Sequence, residues 1–524
     1  MTPHEIEQAL ERILPRVTKP GRYTGGELNQ VVKDWPDGAD AGGDSVAYRV
    51  AMAFPDIYDI GMSNLGWMIH YDIINKHRNL LAERVFCPWD DMEAIMRERG
   101  IPLFSLETKH PIRDFDMLAM TLPYEQLFTN ALNLMDLAGL PVRSLDRDAS
   151  YPLVVAGGHA CYNPEPMAPF IDVFVIGEGE EVLLQIIATM RAAAHLDRET
   201  QLRHVARIGG CYVPRFYDVA YHPDGTVAAI TPNVPEAPPR VLKAIVPILP
   251  PPVTDFIVPF VETVHNRAPI EIMRGCTRGC RFCHAGMVTR PVRERPVAEV
   301  LAAMEAIIAR TGYEEIALMS LSSSDYTHVL ELTEQVGARF GHMGLNLSLP
   351  SLRIDTVSTQ LMDNLGDGRR TGFTLAPEAA TEKMRNVINK YVTHEQLLDT
   401  AREIYRRDWR TIKLYFMIGH PQEEMEDVEA IVDLARQVLA EGRRFHNNKA
   451  AVNVGVSTFI PKPHTPFQWE PMGAMDDIRA KISYLSREFK RPGMKLRWND
   501  PDESVFEGIL TRGDRRLAEV VERA

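Results

Sequence analysis

Two stretches of this chain alternate short apolar runs with helical patterns, and that alternation leaves few folds open. From about residue 266 to 470, candidate strands at 269–274, 315–320, 344–349, 371–375, 411–418 and 452–459 are separated by helices near 297–310, 327–340, 356–365, 394–407 and 424–441. Such alternation predicts parallel strands, because parallel neighbours need a long crossover that a helix supplies. Six of them predict a partial (β/α)6 TIM-like barrel, with chemistry on the loops after the strand carboxyl ends. From about 46 to 195, apolar runs near 47–54, 116–121, 152–156 and 172–176 alternate with helical patterns near 64–76, 89–98, 124–138 and 180–194. That pattern predicts a doubly wound, Rossmann-like α/β domain. A length of 524 residues fits, since one hydrophobic core rarely serves a chain of that size.

The remaining segments punctuate these two. Residues 1–45 form an N-terminal extension, an amphipathic helix near 4–14 followed by the Gly-rich KPGRYTGGELNQ. Residues 196–265 contain His222-Pro-Asp-Gly225, a hairpin-type turn signal, and the proline runs PEAPPR and ILPPP. Proline cannot donate within a central strand, so 196–265 is expected to be a linker with a small β excursion. Residues 471–524 read as a helical, partly basic tail.

Cys276, Cys280 and Cys283 stand in the run MRGCTRGCRFCH, with Phe282 directly before the last thiol. Three thiolates at this C-x3-C-x2-C spacing can ligate three irons of a [4Fe–4S] cube and leave one iron open to a substrate. Zinc sites want four ligands, usually in paired C-x2-C form, and His284 is too close in sequence to be a well-placed fourth. The cysteine run ends the first predicted barrel strand, where such folds place their chemistry. Six cysteines in 524 residues make no disulfide framework, and Cys87, Cys161 and Cys211 read as plain buried thiols.

This arrangement resembles the radical S-adenosylmethionine (SAM) enzymes. The resemblance implies that the open iron chelates the methionine end of SAM, which is cleaved reductively to a 5′-deoxyadenosyl radical. Further loops, each behind a predicted strand, are similar to superfamily elements. In MSLSSSDY, Ser322, Ser323 and Asp325 stand where the SAM amino group is often held, although the usual Gly-Gly-Glu is absent. SLPSLRID offers Ser351 and Arg353, suited to a carboxylate. Ala376-Pro-Glu378 places Glu378 where it could accept ribose hydroxyls, Gly419 and Pro421 in FMIGHPQEE would let backbone approach adenine, and Phe282 is grouped with these SAM-side residues. Arg274, Arg278, Arg281 and Arg290 surround the cluster motif, either tuning it and holding the SAM carboxylate or lying as solvated surface groups.

The first half resembles cobalamin-binding domains. FPDIYDIGMSNLG matches a D-x-H-x-x-G element at Asp56 and Gly61, with Tyr58 in place of the histidine. A protonated phenol with a pKa near 10 is a poor cobalt ligand. VVAGGHACYNPEP and VIGEGEEVL supply Gly157, Gly158, Gly177 and Gly179, which would let backbone approach the corrin's nucleotide tail. The alternative is a doubly wound domain that kept the turns without the cofactor.

Nearly the whole chain is similar to a group of fused proteins with a cobalamin-binding-like domain before a radical SAM barrel and no assigned substrate. The shared motifs stand at Lys19–Asn29, Phe54–Gly66, Leu122–Glu125, Ala376–Ala379, Pro461–Trp469 and Arg512–Arg516. Three functions follow from the resemblance. The first is cobalamin-assisted methylation of an unactivated carbon. The second is radical SAM modification of RNA or protein without functional cobalamin, and the third a non-catalytic iron–sulfur adaptor. The SAM-side loops disfavour the adaptor, and three scattered remaining cysteines disfavour a second cluster. An electron donor such as flavodoxin or ferredoxin is implied.

The substrate is the least constrained element. Arg487, Lys490, Arg491, Lys495 and Arg497 beside Trp498, with Arg512, Arg515 and Arg516, point to a phosphate-bearing substrate such as RNA or to a solvated helix face. A net charge of −13 opposes indiscriminate nucleic-acid binding. No apolar run approaches the roughly 18 residues of a membrane span, and the N-terminus has no signal pattern, so the protein is expected in the cytoplasm.

Overall fold

In a computed structural model, residues 1–35, 46–354, 359–364 and 372–524 are described. They form two compact units, one comprising residues 1–266, 309–311 and 513–524, the other 267–308 and 312–512.

The first unit is built on a six-stranded sheet: β1 (Tyr48–Phe54), β2 (Leu80–Phe86), β3 (Met117–Thr121), β4 (Leu153–Gly157), β5 (Val173–Val175) and β6 (Cys211–Tyr212). Its spatial order is 2-1-3-4-5-6, with only β6 antiparallel. This is the flavodoxin-like doubly wound order, whose strand order reverses between β1 and β3.

β2 has no counterpart among the apolar runs of the sequence. Its residues LLAERVF carry Glu83 and Arg84 at their centre, yet all seven are buried and those two are 0% exposed. Arg84 lies between Glu27 and Glu107, at 2.7 and 2.6 Å. Glu83 accepts from Thr108 and Trp35, so both charges are satisfied internally and form no polar outer face.

Residues 196–212, expected in the linker, continue the domain instead. Asp197 caps the helix Arg198–Ala206 by accepting from the Thr200 N–H, and β6 then adds to the sheet. The expected hairpin is present, Tyr217–Tyr221 against Val227–Pro232, turning at Gly225 with φ +85°.

The second unit holds seven parallel strands. β7 (Ala268–Glu271), β8 (Glu315–Met319) and β9 (Asn346–Ser348) form one sheet, and β10 (Phe373–Glu378), β11 (Thr411–Ile418), β12 (Ala451–Thr458) and β13 (Met494–Trp498) another, all in sequential order. Helices follow the strands, at Val297–Thr311, Val329–Phe340, His394–Arg406, Met425–His446 and Met475–Glu488. This is the expected partial barrel with one strand more. β13 lies within the tail expected to be helical; its short, basic sequence MKLRW shows little of the apolar alternation that marks a strand. The helix expected at 356–365 is described only as Thr359–Asn364; residues 355–358, 365 and 371 lie outside the described residues, as do 36–45 of the N-terminal extension.

The core of this unit lies outside the sheet of β10–β13. Ile412, Leu414, Phe416, Val452, Val454 and Val456 pack with Ala401, Ile431, Val438 and Leu485 of the helices. The intervening residues of β11 and β12 therefore face the barrel interior.

Candidate functional site

The cysteine loop is closed at its base by a two-stranded clip. Met273–Arg274 pairs antiparallel with Arg293–Glu294, so residues 275–292 leave and return to one point at the end of β7. Gly275, at φ +89°, lets the loop cross itself, since a Cβ there would stand 2.5 Å from the Pro291 carbonyl oxygen. Cys283 begins the short helix His284–Val288, its Sγ accepting the Gly286 N–H at 3.2 Å. Burial pushes the Cys283 thiol up, against the pull of that N–H.

The loop is held by neighbours from three other barrel loops. Asn389 donates to the Gly279 carbonyl at 2.8 Å, the Arg281 N–H donates to Ile388 at 3.0 Å, and the Phe467 N–H donates to Arg281 at 3.2 Å. The four flanking arginines do the same work. Arg274 forms a fork with Glu271, at 2.8 and 2.9 Å, and Arg278 another with Asp325. Arg281 donates to Val387 and Arg290 to the Cys276 carbonyl. They fix the loop by named contacts, so the solvated-surface alternative does not describe them.

The three thiols of this loop differ in setting from the other three, although the described residues hold no group of His, Cys, Asp or Glu already converged for a metal ion. Cys276, Cys280 and Cys283 are all half-exposed and unpaired on one braced loop, whereas Cys87, Cys161 and Cys211 are buried. Burial drives the latter thiols far up, to about 12 for Cys211, which leaves them inert.

The loops expected around SAM meet this structure unevenly. Phe282 packs into a small apolar cluster with Ala379, Met384, Ile388, Phe459 and Phe467. Glu378 adopts φ +66° at a register shift in β10 and lies 3.2 Å from Lys390. Ser351 and Arg353 sit in the loop after β9, where the Ser351 carbonyl accepts the Ser323 N–H and the Arg353 N–H donates to Ser324.

Ser322 and Ser323 lie inside their loop. They are 1% and 0% exposed, and the Ser322 hydroxyl donates to Asp325 at 2.6 Å, bracing the carboxylate that holds Arg278. Gly419, at φ +84°, is glycine for packing: a Cβ would meet Ile478 at 2.6 Å.

Beside Gly419 stands a residue that no sequence motif singles out. His420 is 5% exposed, neither ring nitrogen has a hydrogen-bond partner, and its ring lies between Phe459 at 5.2 Å and Phe282 at 6.1 Å. Burial, and then Lys481, push its pKa down to about 4, so the ring is neutral at physiological pH. Thr458, ending β12, has a buried hydroxyl without a partner as well. Ile418 and Thr458 are register partners, which places both orphaned groups at the carboxyl mouth of β11 and β12. A lone histidine after Ile-Gly carries no periodic signal, so only the fold brings it beside the cysteine loop.

In the first unit the residues expected at cobalamin meet mostly protein. Tyr58 is 1% exposed and donates to Glu27 at 2.8 Å, so its phenol belongs to the buried Glu27–Arg84 network. A Cβ on Gly61 would strike the Phe86 ring at 2.3 Å, on Gly158 the Leu122 carbonyl at 2.4 Å, on Gly177 the Ala244 carbonyl at 2.3 Å and on Gly179 the His70 ring at 2.9 Å. These glycines serve close approach of the chain to itself. Gly157, with nothing nearer than 3.9 Å, and Asp56, accepting from Tyr124 at 3.1 Å, remain half-exposed at the carboxyl edge of the sheet.

Fold, braced three-cysteine loop and carboxyl-end placement together define a radical SAM protein. Residues 66–214 match the family of radical SAM proteins, N-terminal, and residues 270–435 the radical SAM superfamily. The chain belongs to that superfamily, in a form with a cobalamin-binding-like domain ahead of the barrel. An uncharacterized protein of Methanocaldococcus jannaschii is 27% identical over 478 residues, 90% of each chain. An uncharacterized methyltransferase of Pyrococcus horikoshii is 23% identical over 301 residues, 56% of this chain and 59% of that one. The fold resembles the radical SAM methyltransferase TsrM of Kitasatospora setae, solved with cobalamin and a [4Fe–4S] cluster, at TM-score 0.54 and 16% identity over 80% of this chain and 77% of that one. No helix among the described residues is long and apolar enough to cross a membrane.

Proposed function

We propose that the thiolates of Cys276, Cys280 and Cys283 hold a [4Fe–4S] cluster whose open iron takes SAM. When bound there, the cluster supplies the electron that breaks the sulfonium C–S bond, giving methionine and a 5′-deoxyadenosyl radical that removes a hydrogen atom from the substrate. The carrying observation is the contrast between three half-exposed thiols on a braced loop and three buried ones elsewhere. Around that loop, Phe282 presents an aromatic surface, Glu378 with Lys390 a hydrogen-bonding pair, and His420 with Thr458 buried groups that still lack partners. A buried polar group left unpaired costs about 1–3 kcal/mol, so the last two are suited to bonds with a bound ligand. A purely structural cluster has no use for them, which disfavours the adaptor reading. Anaerobically reconstituted protein should release 5′-deoxyadenosine when SAM and dithionite are supplied. Iron uptake without that release would overturn the proposal.

A second component, cobalamin-assisted methylation, is favoured by the 2-1-3-4-5 sheet order and by the half-exposed rim of Asp56, Tyr124 and Gly157. Such a domain takes ligands outside the carboxyl ends of its strands. Tyr58, buried on Glu27, lies off that rim, so Asp56, Tyr124 and Gly157 would hold a bound cobalamin without it. Cobalt uptake by protein purified from cobalamin-supplied cells tests this component; protein without cobalt but active in SAM cleavage leaves the radical chemistry and removes the methyl carrier.

A further inference from the structure

The barrel-facing side of β11–β13 carries cations that nothing in the radical chemistry uses. Strand register aligns Thr374, Lys413, Asn453 and Lys495 in one row across β10–β13, and Tyr415, Gly455 and Arg497 in the next. That these residues share a face is fixed by Gly455: a Cβ there would stand 2.8 Å from the Tyr415 ring, so the ring lies across the glycine toward Arg497. The opposite side of the same strands is the apolar core.

Tyr415 is 47% exposed, Lys495 and Arg497 are exposed, and Lys413 is half-exposed. None of the three cations makes a hydrogen bond or ion pair among the described residues. Most other cations near the barrel face are engaged: Arg278 with Asp325, Lys390 with Glu378, Lys462 with Glu507, Lys481 with Glu423. With strands about 4.8 Å apart and alternate residues about 6.8 Å apart, the three charged positions fall within about 12 Å.

We propose that this face binds single-stranded RNA and that RNA is the substrate class of the enzyme. Unpaired cations beside an exposed aromatic ring are the combination that single-stranded nucleic acid needs, since phosphates take the charges and a base stacks on the ring. In a chain of net charge −13, such a face selects a strand that can seat on it while the rest of the surface repels polyanions. The rows lie three to five residues before Ile418, below the level of the cysteine loop. That position suits a strand running up the barrel face to the site better than an electron donor, which must approach the thiols. The register also divides the basic tail: Lys495 and Arg497 join Lys413, whereas Arg512 donates to the Glu470 carbonyl, Arg515 pairs with Glu165 and Arg516 with Asp514.

The substrate assignment rests on the radical SAM reading, and the two can fail separately. Labelled single-stranded RNA is titrated into reconstituted protein over a salt series, with SAM cleavage measured on the same preparation. RNA should bind, and the combined variant K413Q/K495Q/R497Q should flatten the log–log salt slope by about two, three phosphate contacts at about 0.7 each. Tyr415→Leu should weaken binding about fivefold or more by loss of stacking. In unmodified protein, bound RNA should protect Lys413 and Lys495 from acylation but not Lys383, which pairs with Glu424 and Asp427; this arm stands even where a variant misfolds. Salt slope and protection both unchanged overturn the proposal, as does binding of an acidic flavodoxin to this face in place of RNA. Protein that binds RNA as described but never cleaves SAM instead overturns the radical reading.

Discussion

The loops at the carboxyl edges of the two sheets share a vocabulary of glycines, acids and aromatic residues, and the structure uses it in opposite ways. In the first unit the motif residues close upon the chain itself: Gly158 makes room for Leu122, Gly177 for Ala244, and the Tyr58 phenol donates to Glu27. In the barrel the loops brace one another but leave three thiols half-exposed and two buried polar side chains, His420 and Thr458, without partners. A glycine in a motif cannot say whether protein or ligand approaches it. An unsatisfied buried group can, because it carries a cost that only a ligand or water removes.

The sharpest break of this comparison is removal of the thiols. C276A/C280A/C283A should lose the about four irons expected per chain, and with them all reductant-dependent 5′-deoxyadenosine. Iron analysis and product chromatography read both, and retained SAM cleavage would falsify the assignment.

Next in size is the buried network of the first unit. Arg84→Ala leaves Glu27 and Glu107 uncompensated in the interior, and breaking such a pair costs about 3–5 kcal/mol. Denaturation followed by tryptophan fluorescence should show the unfolding free energy fall by that amount. A loss under 1 kcal/mol, on the scale of exposed pairs, would mean that water reaches the network.

His420 gives a pH signature of the opposite edge. Its folded pKa is about 4, against an ordinary 6.5. Between those values the unfolded chain binds a proton that the folded one does not. Stability present above pH 6.5 is therefore lost as pH falls toward 4, by up to about 3 kcal/mol. His420→Phe should remove that component and raise the KM for SAM; an unchanged pH profile would show the ring to be solvated.

The sequence already contained most of the barrel, and the reason is periodicity. β11 was expected at 411–418 and lies there, and the helices Val297–Thr311 and His394–Arg406 match to within a residue, because buried outer faces impose regular apolar spacing. β2 and β13 escaped because their centres hold Glu83–Arg84 and Lys495–Arg497, charges whose burial or orientation only the tertiary partners determine. The cysteine loop was legible since its ligands are adjacent in sequence. The bracing by Asn389 and Phe467, and the orphaned His420, join segments more than 100 residues apart and leave no local trace.

The smallest expected effect tests the first unit's edge. Tyr58 occupies the place of a cobalt-binding histidine, yet its hydroxyl donates to a carboxylate and burial holds the phenol protonated far above its ordinary pKa. Tyr58→Phe removes one hydrogen bond to a charged acceptor and keeps the ring that packs on Phe86 at 5.3 Å. Glu27 retains Arg84, so the loss should be about 1–2 kcal/mol, at the low end for bonds to charged groups. Cobalt content and the Co(II) paramagnetic resonance spectrum should stay unchanged, with no nitrogen splitting from an axial protein ligand in either form. A spectrum altered by this substitution would place the phenol at the metal and show that the edge opens when cobalamin binds, which would bring the two edges of the molecule closer in kind.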